Sequence, residues 1–354
     1  MVHPAGSGAT PGPRKTGRGL LLPLIISCGD PNGVGPEVTL KALALLPERQ
    51  RRNVVLAAPY AALTELNVSL GEPLALNRVE SLRDLAPDAG IPVLELEGAR
   101  ECRPSYGRIS AEAGMVAGRG ILWGVSACLN GEASALVTAP VSKEALHMAG
   151  YKYPGQTEMI ATLAGVTRFI MILTAGGLRV GMATTHVALR QVSGLLTSDL
   201  VLDKILALHE ALNTWFHIPN PRLAVTALNP HASDGGIFGA EEAQVIIPAV
   251  EQARYERLQV EGPLPADTLF PRWRGFDGIL AMYHDQGMIP IKMAAFGRAV
   301  NFTSGLPFPR TSPDHGTAFD IAGKLMADPK SMVRAIRLAF ELAQHRKNPI
   351  HKKR

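Results

Sequence analysis

Three histidines sit where an α/β protein does its chemistry. His186 follows the apolar run Leu178–Thr184. His231 follows Arg222–Leu228, in Asn229-Pro230-His231. His284 follows Asp277–Tyr283, in Tyr283-His284-Asp285. Each run reads as a β-strand, and open α/β sheets bind ligands outside the carboxyl ends of their strands. The histidines are 45 and 53 residues apart, far too distant for a local zinc motif, so only the fold could make them converge. On spacing alone, each reads equally as an ordinary, partly buried histidine. Phosphate chemistry has a second candidate in Gly29-Asp30-Pro31-Asn32-Gly33-Val34-Gly35-Pro36-Glu37, a glycine-rich loop ahead of a helix. The same string reads as a tight strand-to-helix turn with Pro36 starting the helix. Neither GxGxxG nor GxxxxGK[ST] occurs. Asp234-Gly235-Gly236 and Gly239 form a further loop, either one that closes on a substrate or plain surface glycines.

The elements that must position these residues alternate short apolar runs with helical patterns, which predicts an α/β fold with a largely parallel sheet. Strands are expected at Leu20–Ser27, Asn53–Ala58, Pro92–Leu96 and Ser134–Thr138, besides the three runs above. Arg168–Thr174 and Leu178–Thr184 flank Ala175-Gly176-Gly177 as a hairpin. Helices are expected over Glu37–Leu46, Ala111–Leu129, Leu200–Trp215, Glu241–Arg254 and Ser331–Gln344.

At 354 residues the chain is long enough for two domains, and 46% hydrophobic residues supply a core, which excludes wholesale disorder. With 5% aromatics it makes a poor stacking platform for single-stranded nucleic acid. The net charge of +5 resides in the ends: three basic residues within 1–19 and five within 346–354 turn it into −3 for the body between. Both ends read as solvated basic tails, the first rich in Gly, Pro, Ser and Thr, and no nucleic-acid partner is expected. Cys28, Cys102 and Cys128 form no CxxC, which fits a reducing, cytoplasmic compartment. No apolar run reaches membrane-spanning length. The run before Cys28 loosely resembles a lipoprotein signal, but it is short, contains Pro23 and leads straight into a turn, as a first strand would.

The second half carries long, ordered strings: Asn229-Pro230-His231-Ala232, Gly262-Pro263-Leu264-Pro265-Ala266-Asp267-Thr268, Ala281-Met282-Tyr283-His284-Asp285-Gln286-Gly287, Gly305-Leu306-Pro307-Phe308, Arg310-Thr311-Ser312 and Asp314-His315-Gly316-Thr317-Ala318. From Leu20 to Phe340 the chain resembles the 4-hydroxythreonine-4-phosphate dehydrogenase family of vitamin B6 biosynthesis and its paralogues. The stretch Asp314–Ala318 with Asp320-Ile321-Ala322-Gly323 is similar to the adenine-binding segment of isopropylmalate dehydrogenases. That superfamily also lacks GxGxxG, so a nicotinamide cofactor remains compatible.

The resemblance implies two α/β/α domains with a cleft between them, isopropylmalate dehydrogenase-like: 20–140 plus 301–345, and 141–300 with the metal ligands and dimer contacts. It implies one divalent metal on His186, His231 and His284, drawn from both subunits of a homodimer. Three neutral imidazoles suit zinc, cobalt or nickel better than magnesium. It implies a small phosphorylated substrate held by Gln156, Thr157, Lys292, Asn301 and Arg310, and NAD or NADP at His315, Gly316, Thr317 and Asp320. Gln156 departs from the family, whose motif Gly-His-Thr-Glu is here Gly155-Gln156-Thr157-Glu158. Glutamine keeps a hydrogen-bond donor but cannot become a cation. Catalytic roles fall to Lys292, as proton shuttle or phosphate holder, to Asp285, as a carboxylate orienting an imidazole, and to Asp267, as either. Apart from the resemblance, Arg310 could equally pair with Asp314 or Asp320, and Lys292 could be a solvated surface residue. The implied reaction is oxidation of 4-phosphooxy-L-threonine, with decarboxylation to 3-amino-2-oxopropyl phosphate. The alternatives are a paralogous dehydrogenase of erythronate or threonate 4-phosphate or an unphosphorylated diol, a phosphate acyltransferase-like enzyme, and a non-catalytic sensor anchored through Cys28.

Overall fold

A computed structural model describes residues 22–345 apart from 72–73, 87–88 and 296. The two basic tails expected over 1–19 and 346–354 lie outside the described residues. Among the described residues twelve strands form one continuous sheet: β1 (Leu24–Ser27), β2 (Val54–Ala57), β3 (Leu76–Val79), β4 (Ile91–Leu94), β5 (Ala135–Thr138), β6 (Ile170–Ala175), β7 (Leu178–Met182), β8 (Leu223–Thr226), β9 (Val260–Leu264), β10 (Gly278–Ala281), β11 (Val300–Ser304) and β12 (Arg310–Pro313). Their spatial order is β3-β4-β2-β1-β5-β12-β11-β6-β7-β10-β8-β9.

Two parallel blocks meet in the middle. From β3 to β12 every pair is parallel, and so is every pair from β7 to β9. Between them β12–β11, β11–β6 and β6–β7 are antiparallel. The β6–β7 hairpin forms because Gly176 and Gly177 both take positive φ, 57° and 96°, as a tight two-residue turn demands.

Strand alternation builds a core on each face of each block. Leu24 and Ile26 face one cluster while Ile25 faces another; in the second block, Ile172 and Leu280 face one and Leu173 and Ile279 the other. Helices cover both faces, giving α/β/α layers. Helix Ala111–Leu129 starts at Ser110, whose Oγ accepts the Ala113 amide at 3.2 Å. At Gly114 this helix leaves no room for a Cβ against the Ala145 carbonyl, so helix Lys143–Met148 packs directly onto it.

Most expected elements appear close to their expected bounds, with the starting helix at Gly35–Ala44 and the last at Lys330–His345. Cys28, at the end of β1, is 2% exposed, and burial pushes its thiol up to about 12. Glu241–Arg254, read as one helix, is instead a π-turn over Glu242–Ile246 followed by an α-helix over Ile247–Tyr255. Among the described residues no helix is long and apolar enough to cross a membrane.

Candidate active site

β7, β10 and β8 lie side by side and parallel, so His186, His284 and His231 all emerge along one edge of the sheet. The β7 and β10 exits are zipped together. Ala183 and Thr184 amides donate to the Ala281 and Met282 carbonyls at 2.8 and 3.1 Å, and the Thr184 hydroxyl donates to the Met282 carbonyl at 2.8 Å. This places the His186 and His284 rings 5.6 Å apart between centroids. Asp285 Oδ1 is 2.7 Å from His284 Nδ1, so the carboxylate fixes that ring's orientation. Burial holds the His186 imidazole below its usual pKa, helped by the charges of Lys143 and His284 and opposed by Glu158.

His231 does not join this pair. It sits on a left-handed turn: His231, Ala232, Ser233 and Asp234 take φ of 53°, 54°, 69° and 43°. Non-glycine residues adopt that conformation only where surrounding bonds hold them. The holder is Glu242. Its Oε1 accepts the Leu228 and Asn229 amides at 2.8 and 2.7 Å, and its Oε2 accepts Asn229 Nδ2 at 3.0 Å and the Ser233 hydroxyl. Burial raises this carboxyl's pKa, but the Asn229 and Ser233 hydrogen bonds outweigh it and hold the group below the usual carboxylate range. The Asp234–Gly236 loop therefore rests on a fixed turn. Gln286 ties the other side: its Oε1 accepts the Met282 amide and the Thr226 hydroxyl, each at 2.7 Å, and its Nε2 donates to the Ala227 carbonyl at 2.7 Å. Neither Glu242 nor Gln286 stood out in the sequence, because most of their partners lie nine or more positions away, at or just past the end of β8.

At the centre of the sheet, Arg310 opens β12 opposite Thr303 of β11. It is 0% exposed. Its Nε and Nη2 donate to the Thr138 hydroxyl at 3.2 and 2.7 Å, and its Nη1 donates to the Thr157 and Thr303 hydroxyls at 3.1 and 3.0 Å. Its pairing with Asp314 or Asp320 does not occur: its close partners are neutral hydroxyls. Burial pulls the guanidinium down to about 10, against the attraction of Glu158. Thr157 follows Gln156 at the start of helix Gln156–Leu163. Gln156 Oε1 and, on β11, Asn301 Oδ1 are buried without a hydrogen-bond partner.

Asp314 links this region to the histidines. Burial raises its carboxyl's pKa, while Lys292, His315 and His284 pull it down. Lys292 Nζ lies 4.0 Å from Asp314 Oδ2, so the lysine is half-exposed but not isolated. His315 Nδ1 is 3.0 Å from the Gly316 carbonyl, and its Nε2 is buried with no partner. The Thr317 carbonyl accepts the Val34 amide at 2.9 Å, docking the segment onto the Gly29–Glu37 loop. In that loop the Asp30, Asn32, Gly33 and Val34 amides all donate within the protein, so it acts as a turn, not a phosphate cradle. Gly316 is open and Asp320 exposed. Asp267 is exposed on a short helix after β9, and among the described residues it joins no group of three ligating side chains.

Residues 49–339 match the family described as "Pyridoxal phosphate biosynthetic protein PdxA". The chain belongs to the PdxA family. It is 43% identical over 324 residues to 4-hydroxythreonine-4-phosphate dehydrogenase of Geobacter metallireducens, covering 91% of this chain and 95% of that one. It is 43% identical over 335 residues to the Caulobacter vibrioides protein of the same name, covering 92% and 98%. The crystal structure of 4-hydroxythreonine-4-phosphate dehydrogenase from Klebsiella pneumoniae matches at a TM-score of 0.81 and 38% identity, over 91% of this chain and 99% of that chain. A terephthalate 1,2-cis-dihydrodiol dehydrogenase from Burkholderia xenovorans LB400 matches at 0.62 and 29%, over 91% and 98%. As a PdxA-family chain it is an oxidoreductase of pyridoxal phosphate biosynthesis.

Proposed function

We propose that the chain oxidises the secondary hydroxyl of 4-phosphooxy-L-threonine with NAD or NADP, giving 2-amino-3-oxo-4-phosphooxybutanoate, which decarboxylates to 3-amino-2-oxopropyl phosphate. The observation that carries this is Arg310. A buried guanidinium is costly unless an anion compensates it, and here its immediate partners are neutral hydroxyls. A phosphate at the adjoining helix start would supply that charge, and the side-chain amide nitrogens of Gln156, which opens that helix, and of Asn301, on the strand that carries Thr303, can donate to it.

The donor set fits a metal as a part-built site. His186 and His284 approach each other, and among the described residues no group of three ligating side chains forms within one chain. We assign His186 and His284 of one subunit and His231 of the partner subunit to a single divalent ion, zinc by donor chemistry, in a homodimer. When bound, such an ion supplies Lewis-acid stabilisation of negative charge on the substrate oxygen. Asp285 holds the His284 ring. Lys292, paired with Asp314, either holds the phosphate or relays the hydroxyl proton, passing one of its own ammonium protons to the Asp314 carboxylate as it receives the substrate's. NAD or NADP, when bound, would supply the hydride acceptor, and His315, Gly316, Thr317 and Asp320 would hold its adenine end. The orphaned His315 Nε2 supports that placement. Asp267 keeps a role in this proposal only if dimerisation carries it to the cleft. We further propose that 20–140 with 301–345 and 141–300 act as the two walls of the cleft, joined at the β6–β11 pair.

The test is reduction of NAD or NADP by purified protein with Zn²⁺ and 4-phosphooxy-L-threonine, with erythronate 4-phosphate in parallel. Turnover of the amino acid, abolished by chelator, is expected. Gln156 and the likeness to a dihydrodiol dehydrogenase favour a second reading, a paralogous dehydrogenase. Turnover of the sugar acid or of a cis-diol alone would establish it.

A further inference from the structure

A second basic cavity lies away from the cleft. It encloses about 500 Å³ and is walled by Arg179, Arg298, Arg334, Arg337, Trp215 and Phe216. Helix His284–Ala295 starts at the histidine pair and ends in this wall, so the cavity stands about 16 Å from His284 by helical rise. The β6–β7 turn closes the same end.

The charges here are unbalanced. Among the described residues, Glu341 is the one carboxylate in the lining, against four guanidinium groups. Arg179 is fixed: its Nη1 donates to the Gly177 and Asp277 carbonyls at 3.1 and 3.3 Å, and its Cζ lies 4.7 Å from the centroid of the Phe216 ring. Its Nε is buried with no acceptor, an orphan that a folded protein rarely tolerates without a reason. Arg298, Arg334 and Arg337 form no ion pair or side-chain hydrogen bond with any described residue. Arg334, Arg337 and Glu341 share one face of helix Lys330–His345 at spacings of three and four. Arg298 and Arg334 are exposed and Arg337 half-buried, and their shared charge favours a counter-anion, with planar guanidinium forks that match phosphate oxygens. Half-exposed Phe216, backed by buried Trp215, adds an apolar side, and the volume lies in the range of small-ligand sites.

We propose that this cavity is a binding site for a phosphomonoester carrying a flat aromatic ring, separate from the cleft. The ring packs beside the half-exposed Phe216, and the phosphate sits among Arg298, Arg334 and Arg337.

The test titrates the full-length enzyme by calorimetry with phenyl phosphate, AMP and inorganic phosphate. It uses wild type, the pair R334A/R337A, and the charge-matched control R49A/R83A on a distant surface. Phenyl phosphate or AMP should bind wild type and the control alike, and at least tenfold more weakly to R334A/R337A. A preference for AMP marks the ligand as a nucleotide, and one for phenyl phosphate as a compact ring phosphate. Arg298→Ala, in a loop, provides the same comparison if the helix pair fails to fold. Equal affinity of the cavity variants and wild type, or no binding by either aromatic phosphate, would overturn the proposal. Inorganic phosphate binding as tightly as both would overturn the ring's part in it.

Discussion

At Arg310 one chain supplies every contact: a fully buried cation that donates four hydrogen bonds to three threonine hydroxyls on β5, β11 and helix Gln156–Leu163. At the histidine edge the chain stops short: two rings approach and the third stands apart on its own rigid turn. The contrast teaches where each function draws its precision. On the function proposed above, anion recognition is set by core packing that one chain completes alone, whereas the metal site would be completed only by assembly of two chains.

The largest effect should come from the histidine end. His284→Ala should lower turnover about a thousandfold, as expected when several kcal/mol of charge stabilisation is lost. His231→Ala should do the same with metal content reduced. Near-normal turnover of His231→Ala, with metal unchanged, would break the contrast. Arg310→Lys tests the other end. A lysine keeps the charge but loses the fork, so kcat/KM should fall about a hundredfold, for roughly 3 kcal/mol of charge-assisted hydrogen bonding. The loss should appear mainly in KM for the phosphorylated substrate, read by steady-state kinetics.

Glu242→Gln separates the rigid turn from the ligand it carries. One amide oxygen cannot replace two carboxylate oxygens accepting from four donors, so thermal unfolding should show a loss of about 2 kcal/mol at neutral pH. Its pH dependence has a definite sign. Glu242 is held below its ordinary value of 4.5 in the folded protein. Its contribution is therefore full above about pH 4.5 and is lost as pH falls through the lower folded value, so the gap between wild type and Glu242→Gln should close in acid. The smallest effect is the quietest: Cys28 and Cys102, with thiols pushed up to about 12 and about 11 chiefly by burial, should resist a thiol reagent until the protein unfolds.

Where local pattern decides, the sequence was readable. Ser110 caps a helix whose bounds, Ala111–Leu129, match the expectation, and the strand ends that carry the histidines lie within two residues of theirs. The arrangement of all three histidines on one edge followed from those strands and their parallel order. What escaped was non-local. β11 and β12 are short and flank proline-rich motifs, so Asn301 and Arg310 read as motif residues and not as a cross-strand neighbourhood. Thr138 meets Arg310 across 172 positions of chain, and Gln286 meets Thr226 across 60. The left-handed turn at His231 uses non-glycine residues, so nothing in its composition announces it. The π-turn at Glu242–Ile246 starts at the carboxylate that holds that turn, a shift that helical periodicity cannot reveal.

The most direct measurement mixes two inactive variants. His231→Ala and His284→Ala subunits are combined, dissociated, reassociated and assayed. If one centre takes His284 from one chain and His231 from the other, each mixed dimer carries one intact site, and random pairing should restore about a quarter of wild-type activity. No recovery, with mixed dimers demonstrated by mass, would place all three ligands within one chain or remove His231 from the centre, and would contradict the account.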